Sequence, residues 1–240
     1  MGKEVVKLNL EQRKMWNVKH KALTEMLARP DQHPGAVELF LEQHRWLYAS
    51  EADSSGQTTY EDEILSGLTE QTFRTYPVHT TASRNSIAWH LWHAARIEDI
   101  TMNILVAGRE QVLHSGGFAE RLNMRFIHSG NGMDEAEIAE LSGALSFEEL
   151  KEYRLAVAGR TRSIICGLSA AELKAKVDAS RLRQVSEQEA VKASEQWLLD
   201  YWGGKTAAGL VLMPATRHNF LHLNKAMTAK LKLQKQPVSP

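Results

Sequence analysis

Apolar positions recur at helical spacing along nearly the whole chain. From about Leu10 to Leu27, apolar residues three or four apart alternate with charged ones, and Pro30 closes this first segment. A second helical pattern opens after Pro34 and runs through Trp46. Because no segment shows a convincing strand pattern, the chain is predicted to be all-α.

The most informative of these segments begins at Asn85 or Ser86, either of which can cap a helix. It runs to about Val106 and stops at Gly108, a residue type that commonly ends helices. Its apolar positions cover much of the helix circumference, so we expect this helix to lie at the centre of a bundle.

Three further helices are predicted from N-cap residues at Ser146, Ser169 and Ser186, the last of them ending at Gly203. Residues 114–139 are rich in glycine, which predicts irregular structure there. The Ser-Gly-Asn-Gly sequence within that range has neither a preceding strand nor a lysine ending, so it is interpreted as a turn rather than a phosphate loop.

The final helix is predicted over roughly residues 206–233. Pro214 lies inside it, so either the helix kinks there or the regular helix begins there. No linker of domain-boundary character interrupts the chain. We therefore predict an N-terminal helical arm over residues 1–33, one helical bundle with short extra helices over residues 34–233, and a flexible tail over residues 234–240.

Composition excludes several classes of protein. The 29 basic and 29 acidic residues balance, so no positive field attracts nucleic acid. The one cysteine, Cys166, cannot form an intramolecular disulfide, which fits a reducing compartment. The longest apolar stretch, around residues 207–213, is too short to span a bilayer, and the N-terminus lacks the apolar core of a signal peptide. These features predict a soluble cytoplasmic protein without a nucleic-acid or membrane partner.

Two histidines, His218 and His222, are four residues apart in the final helix. Side chains at this spacing project from the same helix face, so both imidazoles can reach one ion. Imidazole is a common ligand for zinc, nickel, iron and copper. Asn219 stands where the zinc-protease pattern has its glutamate, so a metalloprotease is set aside.

A third ligand would have to come from another helix. His90 and His93 lie on the central apolar helix, and spacing alone leaves the choice between them open. His44 is a further candidate. A three-histidine site leaves coordination positions free, as catalytic rather than structural metal sites do. The other histidines are expected to be solvent-exposed: His20, His33, His79, His114 and His128.

The sequence over residues 85–99, Asn-Ser-Ile-Ala-Trp-His-Leu-Trp-His-Ala-Ala-Arg-Ile-Glu-Asp, together with Arg-His-Asn-Phe-Leu-His over residues 217–222, resembles the DinB/YfiT-like superfamily of bacterial metal-dependent proteins. The resemblance extends over roughly residues 34–232. It implies a four-helix bundle, with one histidine on the second helix and a pair four apart on the last. Together these hold a divalent ion, usually zinc or nickel.

Carried over to this chain, the family's first histidine is His93, because it directly precedes the Ala-Ala-Arg-Ile-Glu-Asp run, and the other two are His218 and His222. His90 and His44 are then candidates for an additional ligand or for supporting one. The family's better-understood members are transferases and isomerases that use a low-molecular-weight thiol such as bacillithiol or mycothiol. Members often form homodimers, which we also expect here.

An ion held by three neutral imidazoles can lower the pKa of bound water to about 7 or bind a thiol as thiolate. The expected function is thus a metal-dependent transferase or hydrolase acting on a small molecule. The alternative is a non-catalytic metal-binding protein in stress response or sensing, and a weaker one is an interaction module with structural histidines.

Arg96 and Glu98 are interpreted as salt-bridge residues. The tryptophans are interpreted as core residues, of which one or two could line a pocket mouth: Trp89, Trp92, Trp197 and Trp202.

Overall fold

The structure is a computed structural model that describes the backbone of residues 2–52 and 56–234 and the side chains of residues 10–51 and 56–234. Its α-helices are α1 (Gly2–Leu27), α2 (His33–Trp46), α3 (Tyr60–Leu65), α4 (Glu70–Arg74), α5 (Ile87–Asp99), α6 (Val112–Ser115), α7 (Phe118–Arg121), α8 (Glu135–Ala144), α9 (Phe147–Gly167), α10 (Ala170–Lys174), α11 (Ala179–Glu187), α12 (Gln196–Gly203), α13 (Ala207–Leu212) and α14 (Asn219–Gln234). Two π-helical segments adjoin them, Ile100–Ala107 after α5 and Met213–His218 between α13 and α14.

The described part of the chain is helical. Its only β-structure is one isolated bridge between Lys176 and Thr206, which confirms the all-α prediction. None of the helices described has both the length and the apolar character that crossing a bilayer would require.

A four-helix bundle forms the centre of the molecule, built from α2, α5, α9 and the continuous segment from α13 to α14. Every residue of α5 is buried, as expected for the central helix. The Ser86 hydroxyl accepts a hydrogen bond from the Trp89 N–H at 3.0 Å, which caps the start of α5. The π-helical continuation ends at Gly108, whose φ of 61° is the left-handed conformation that glycine adopts most easily.

Buried ion pairs on α5 and α9 help to link these two bundle helices to each other and to α3. Arg96 and Asp99 on α5 are 3.1 Å apart, and the Tyr153 hydroxyl on α9 donates to the same Asp99 carboxylate at 2.7 Å. Arg154 on α9 pairs with Glu61 on α3, and both side chains are almost fully buried. Buried charges are stable only when paired, so these contacts fix how the helices sit against one another. The pairing role predicted for Arg96 is confirmed.

Two local predictions are wrong. Residues 114–139 are not irregular throughout, because α7 and the start of α8 lie within them. The start of α8 is fixed by a capping box in which Asp134 and Glu137 bond each other's backbone N–H. Ser186 does not begin a helix but lies in the last turn of α11, whose cap is Asp178. In both segments the helix begins at an aspartate cap that was not predicted, Asp134 for α8 and Asp178 for α11.

The N-terminal helix α1 packs along α2 and also reaches the last helix. The Trp16 ring stacks on Phe220 with centroids 4.0 Å apart, and its Nε1 donates to the Gln43 carbonyl. The predicted arm therefore shares a core with the bundle. Of the predicted tail, residues 235–240 lie outside the described residues.

The last helix is interrupted at Pro214, which lies within the π-helical segment Met213–His218. Proline has no N–H to donate and clashes with the preceding turn, so regular α-helix cannot pass through it. The Thr216 hydroxyl donates to the Val211 and Leu212 carbonyls of the preceding turn. Regular α14 begins at Asn219, so the interruption expected at Pro214 is present and ends beside His218.

Candidate metal centre

Three imidazoles converge between α5 and the C-terminal segment. His93 lies on α5, His218 ends the π-helical segment, and His222 follows one turn later on α14. One nitrogen of each ring lies within 4.8 Å of the others. The ring centroids are 5.0 Å apart for His93 and His218, 4.7 Å for His93 and His222, and 4.4 Å for His218 and His222. These three residues are the set that the family resemblance implied.

The imidazoles of this region are neutral at pH 7. Burial lowers the pKa of His93 to about 4 and that of His90 to about 3. Burial also holds the pKa of His218 and of His222 well below the usual value. The positive charge of Lys225 lowers all four pKa values further. A neutral imidazole keeps a lone pair on one ring nitrogen, and that lone pair is what a metal ion requires.

The protonation of His93 follows from its surroundings. Its Nδ1 lies 2.6 Å from the Ser129 carbonyl oxygen. A carbonyl can only accept, so Nδ1 carries the proton. Since the ring is neutral, Nε2 is left with the free lone pair. Trp89 stacks on the same ring at 4.4 Å and holds its plane. A hydrogen bond from the second nitrogen to a backbone carbonyl is how metal-binding histidines are commonly oriented.

The loop that supplies this carbonyl comes very close to α5 at Gly130. Gly130 has a φ of 90°, and a Cβ placed there would lie 2.6 Å from Trp92 and 3.1 Å from Nδ1 of His93. Only glycine lets the loop approach so closely. The contact between Ser129 and His93 was not predicted, because the Ser-Gly-Asn-Gly sequence was interpreted only as a turn. The glycines around Ser129 were the one signal in the sequence.

His90 lies beside the three-histidine group without belonging to it. Its Nδ1 is 3.0 Å from Nδ1 of His222, so one of the two nitrogens donates and the other accepts. The structure thus places His90 against the back of His222, while His93, one turn further along α5, faces the other two rings.

His44 lies in a different polar cluster. Its Nε2 is 2.8 Å from the Glu98 carboxylate, whose other oxygen accepts from the Tyr48 hydroxyl at 2.6 Å. The Asn219 amide donates to both Tyr48 and Glu98, which ties this cluster to the residue next to His218. His44 is therefore engaged by Glu98 and does not join the three-histidine group. Glu98 has a structural role, as expected, but its partners are His44, Tyr48 and Asn219 rather than Arg96.

Of the five histidines expected to be solvent-exposed, His79 is exposed, three are half-buried and His20 is buried. His20 on α1 is only 7% exposed, and its ring stacks on Trp16 at 4.9 Å. Its Nε2 contacts the Thr216 hydroxyl at 3.0 Å and the Leu212 carbonyl at 3.1 Å. For His20 the expectation failed because α1 packs against the bundle, which the charged pattern of α1 did not reveal. The three half-buried histidines are His33, His114 and His128.

A pocket of about 190 Å³ adjoins the three-histidine group at His218. Its walls come from α5, α12, the loop after Gly130 and the π-helical segment, and they comprise Ile97, Asn131, Trp197, Leu198, Tyr201, Trp202, Met213, Pro214 and His218. Trp202 is buried, but Trp197 is 55% exposed and Tyr201 is 40% exposed. Of the four tryptophans interpreted as core residues, Trp197 is the one that lies at a pocket mouth. The pocket gives small molecules a route from solvent to His218.

Comparisons with known proteins bear on the fold and the family of this chain. One solved structure with a similar fold is that of "the conserved protein of locus from Enterococcus faecalis", which is 17% identical in sequence and covers 83% of this chain and 97% of that chain with a TM-score of 0.56. At this identity the likeness shows the fold alone. A search of curated proteins found no match. Residues 57–224, well over half of the chain and including the three histidines, match the family model of the DinB superfamily. The resemblance noted in the sequence is thereby confirmed, and this chain belongs to the DinB superfamily.

Proposed function

We propose that His93, His218 and His222 bind one divalent metal ion, zinc or nickel, and that the protein is a metal-dependent transferase or hydrolase. The observation that carries this proposal is the convergence of three neutral imidazole nitrogens within 4.8 Å of one another. Two of the rings come from one helix and the third from its neighbour, as in other bundles that bind metals in their core.

The donor set suits such an ion. Zinc and nickel both accept imidazole nitrogen as a ligand. His93 has its Nδ1 engaged by the Ser129 carbonyl, which directs the free lone pair of Nε2 away from the loop. Nδ1 of His218 is buried and has no hydrogen-bond partner among the described residues. Buried polar atoms rarely lack partners, so a ligated ion gives this histidine the interaction that the protein itself does not supply.

His90 has a positioning role in this proposal. If His222 presents Nε2 to the ion, its Nδ1 carries the proton and donates to Nδ1 of His90 at 3.0 Å. His90 then fixes the orientation and the protonation of His222, as Ser129 does for His93. Outer hydrogen-bond partners of this kind strengthen metal binding without contacting the metal.

The open pocket favours an enzyme over a purely structural metal site. Structural zinc sites have four protein ligands, whereas catalytic sites have three and one position open. His218 lines the pocket of about 190 Å³, so a small molecule can reach this side of the group. A divalent ion bound there supplies a Lewis acid that activates water or a thiol at neutral pH.

The second reactant that we propose is a low-molecular-weight thiol, in line with the family resemblance. The protein's own thiol is not part of this proposal, because Cys166 is exposed near the end of α9 and has no histidine or lysine adjacent to it in the sequence. We place the protein in the cytoplasm, with a small-molecule substrate and without a nucleic-acid or membrane partner. The balanced charge and the single free cysteine support this placement.

Metal analysis tests the site. Purified protein reconstituted with zinc or nickel should contain one ion per chain by elemental analysis after gel filtration. His218→Ala and His222→Ala should each contain close to none while keeping the helical circular dichroism of the parent. His79→Ala, which removes an exposed histidine elsewhere, is the matched control and should retain one ion. Unchanged stoichiometry in both site variants would refute the proposal.

Activity tests the reaction class. Metal-loaded protein should react with small electrophiles in an activity screen. With bacillithiol, mycothiol or another small thiol present we expect transfer involving the thiol, and without a thiol we expect hydrolysis. Cys166→Ser should retain full activity, whereas His222→Ala should lose it. Stoichiometric metal binding with no turnover under any of these conditions would favour the alternative, a non-catalytic metal-binding protein in stress response or sensing.

A further inference from the structure

The pocket beside His218 has a chemical character that restricts what can occupy it. Its aromatic walls are Trp197, Tyr201 and Trp202, and its aliphatic walls include Leu198 and Pro214. No lysine, arginine, aspartate or glutamate is among its lining residues. Its polar side-chain groups are the Asn131 amide, the His218 imidazole, the Tyr201 hydroxyl and the indole N–H groups, of which that of Trp197 is already bonded to Glu195, so a ligand finds few polar partners there.

The size of the pocket matches one ring. An apolar cavity of about 150 Å³ is large enough to hold benzene. The pocket here, at about 190 Å³, holds a benzene-sized group together with a short substituent. Two fused rings with substituents would extend beyond it into solvent.

The charge of the occupant follows from the same walls. An anion would lose its hydration in an apolar pocket that has no cationic lining residue, and the Lys205 ammonium above the Tyr201 ring is balanced at the rim by the Glu195 carboxylate beside Trp197 Nε1. A cation could stack on the aromatic faces, but Lys205 already holds its ammonium 4.2 Å from the centre of the Tyr201 ring. A second positive charge beside Lys205 is disfavoured. A neutral ring meets neither penalty.

The exposed aromatics strengthen this inference. Trp197 leaves 55% of its surface in contact with solvent although it forms part of a concave wall. Its Nε1 donates to the Glu195 carboxylate at 2.7 Å, which fixes the indole at the rim. An aromatic ring held in place at a pocket mouth can stack on an entering ring at little further cost in entropy.

We propose that this pocket binds the uncharged, ring-sized apolar part of the substrate and directs its reactive polar atom towards His218. The role as a substrate pocket rests on the proposed function. The binding preference does not, because it follows from the pocket walls alone and can be measured without metal. The predicted ligand class is therefore a neutral molecule with one aromatic or comparably sized apolar group.

Three probes with the same ring and different charge test the preference: benzyl alcohol, benzoate and benzylammonium. Ligand-observed NMR titrations use the full chain, both as metal-loaded protein and after treatment with a chelator. In the chelated protein benzyl alcohol should bind saturably and about tenfold more tightly than either charged probe. Trp197→Ala should weaken its binding about tenfold, since stacking and apolar contact are lost together.

Met15→Ala is the matched control, because Met15 is also 55% exposed but lies on α1 away from the pocket. It should leave the affinity for benzyl alcohol unchanged. Metal content, measured on the same samples, should be unaffected by Trp197→Ala, so failure of the pocket inference and failure of the metal proposal give different results.

Several outcomes would overturn the inference. One is tighter binding of benzoate or benzylammonium than of benzyl alcohol to the chelated protein. Another is the absence of saturable binding of any ring. A third is that Trp197→Ala changes the sedimentation coefficient and leaves ring binding intact, since the exposed aromatics would then belong to a contact between protein chains.

Discussion

Replacing Gly130 by alanine tests how the loop and the three-histidine group depend on each other. The new Cβ would lie 2.6 Å from Trp92 Cζ3 and 3.1 Å from His93 Nδ1. Trp92 is fully buried and cannot swing away, and Nδ1 of His93 is bonded to the Ser129 carbonyl. The loop must therefore move outward, and the Ser129 carbonyl moves with it.

The expected loss in the free energy of unfolding of Gly130→Ala has two parts. Alanine in the left-handed region costs about 1–2 kcal/mol relative to glycine. Overpacking against a rigid core neighbour adds about 1–3 kcal/mol. The sum predicts that Gly130→Ala lowers the free energy of unfolding by about 2–5 kcal/mol. Because His93 loses its orienting carbonyl, metal affinity should also fall by about 10- to 100-fold.

Alanine variants at two other glycines separate the backbone cost from the overpacking cost. Gly117 has a φ of 65° and open space where a Cβ would lie, so Gly117→Ala measures the backbone cost alone. Gly132 is in the same loop with a φ of 68°, and its Cβ would meet only the flexible end of Glu195. Both control variants should lose about 1–2 kcal/mol and keep the metal affinity of the parent.

The assays are urea unfolding at pH 7.5, with the slope checked for constancy, and competition of zinc between the protein and a chromophoric chelator. If Gly130→Ala loses no more stability than Gly117→Ala, the close approach to Trp92 does not constrain the loop. If its metal affinity also equals that of Gly132→Ala, the Ser129 carbonyl does not orient His93, and the reasoning is refuted.

Further predictions follow from other contacts. His93→Ala should abolish metal binding, whereas His90→Ala should retain one ion per chain with an affinity about 10- to 100-fold weaker; the opposite pattern in metal titrations would show that the ligand is one turn earlier on α5. Burial, with a smaller effect of Arg217, lowers the pKa of His20 to about 4, so His20 stabilises the fold above pH 6.5 and that contribution is lost as the pH falls towards 4. In urea unfolding of metal-free protein the parent should lose stability relative to His20→Gln between pH 7 and pH 5, and parallel curves would contradict this. Arg154→Met should cost about 3–5 kcal/mol because it leaves the Glu61 carboxylate buried without its cation, and a second change, Glu61→Gln, should recover part of the loss in the same assay. Finally, the protein should sediment as a homodimer at micromolar concentration, and a monomer would remove that expectation.

Features that depend on neighbours in the sequence were predictable. Ser86 caps α5 and Gly108 ends its continuation because a side-chain oxygen and a left-handed residue act within one turn. The spacing of His218 and His222 places both rings on one helix face for the same local reason. The motif around His93 adds family information, which spacing alone could not supply, since His90 is equally compatible with a helix face.

Other features arise only when distant segments meet. Ser129 reaches His93 across 36 residues, and Glu98 engages His44 across 54 residues. His20 on α1 is buried against Thr216, 196 residues away. In each of these pairs, the local sequence around one residue does not predict its contact with the other.

The substrate pocket depends on the same kind of contact. Trp197 has the sequence context of a core residue, yet it lies at the pocket mouth because α12 packs beside the π-helical segment that ends at His218. Local sequence sets helix limits and helix faces through interactions a few residues long. Which faces meet, which rings stay exposed and which hydrogen bonds orient a histidine depend on packing across the whole chain, and so only the tertiary structure decided them.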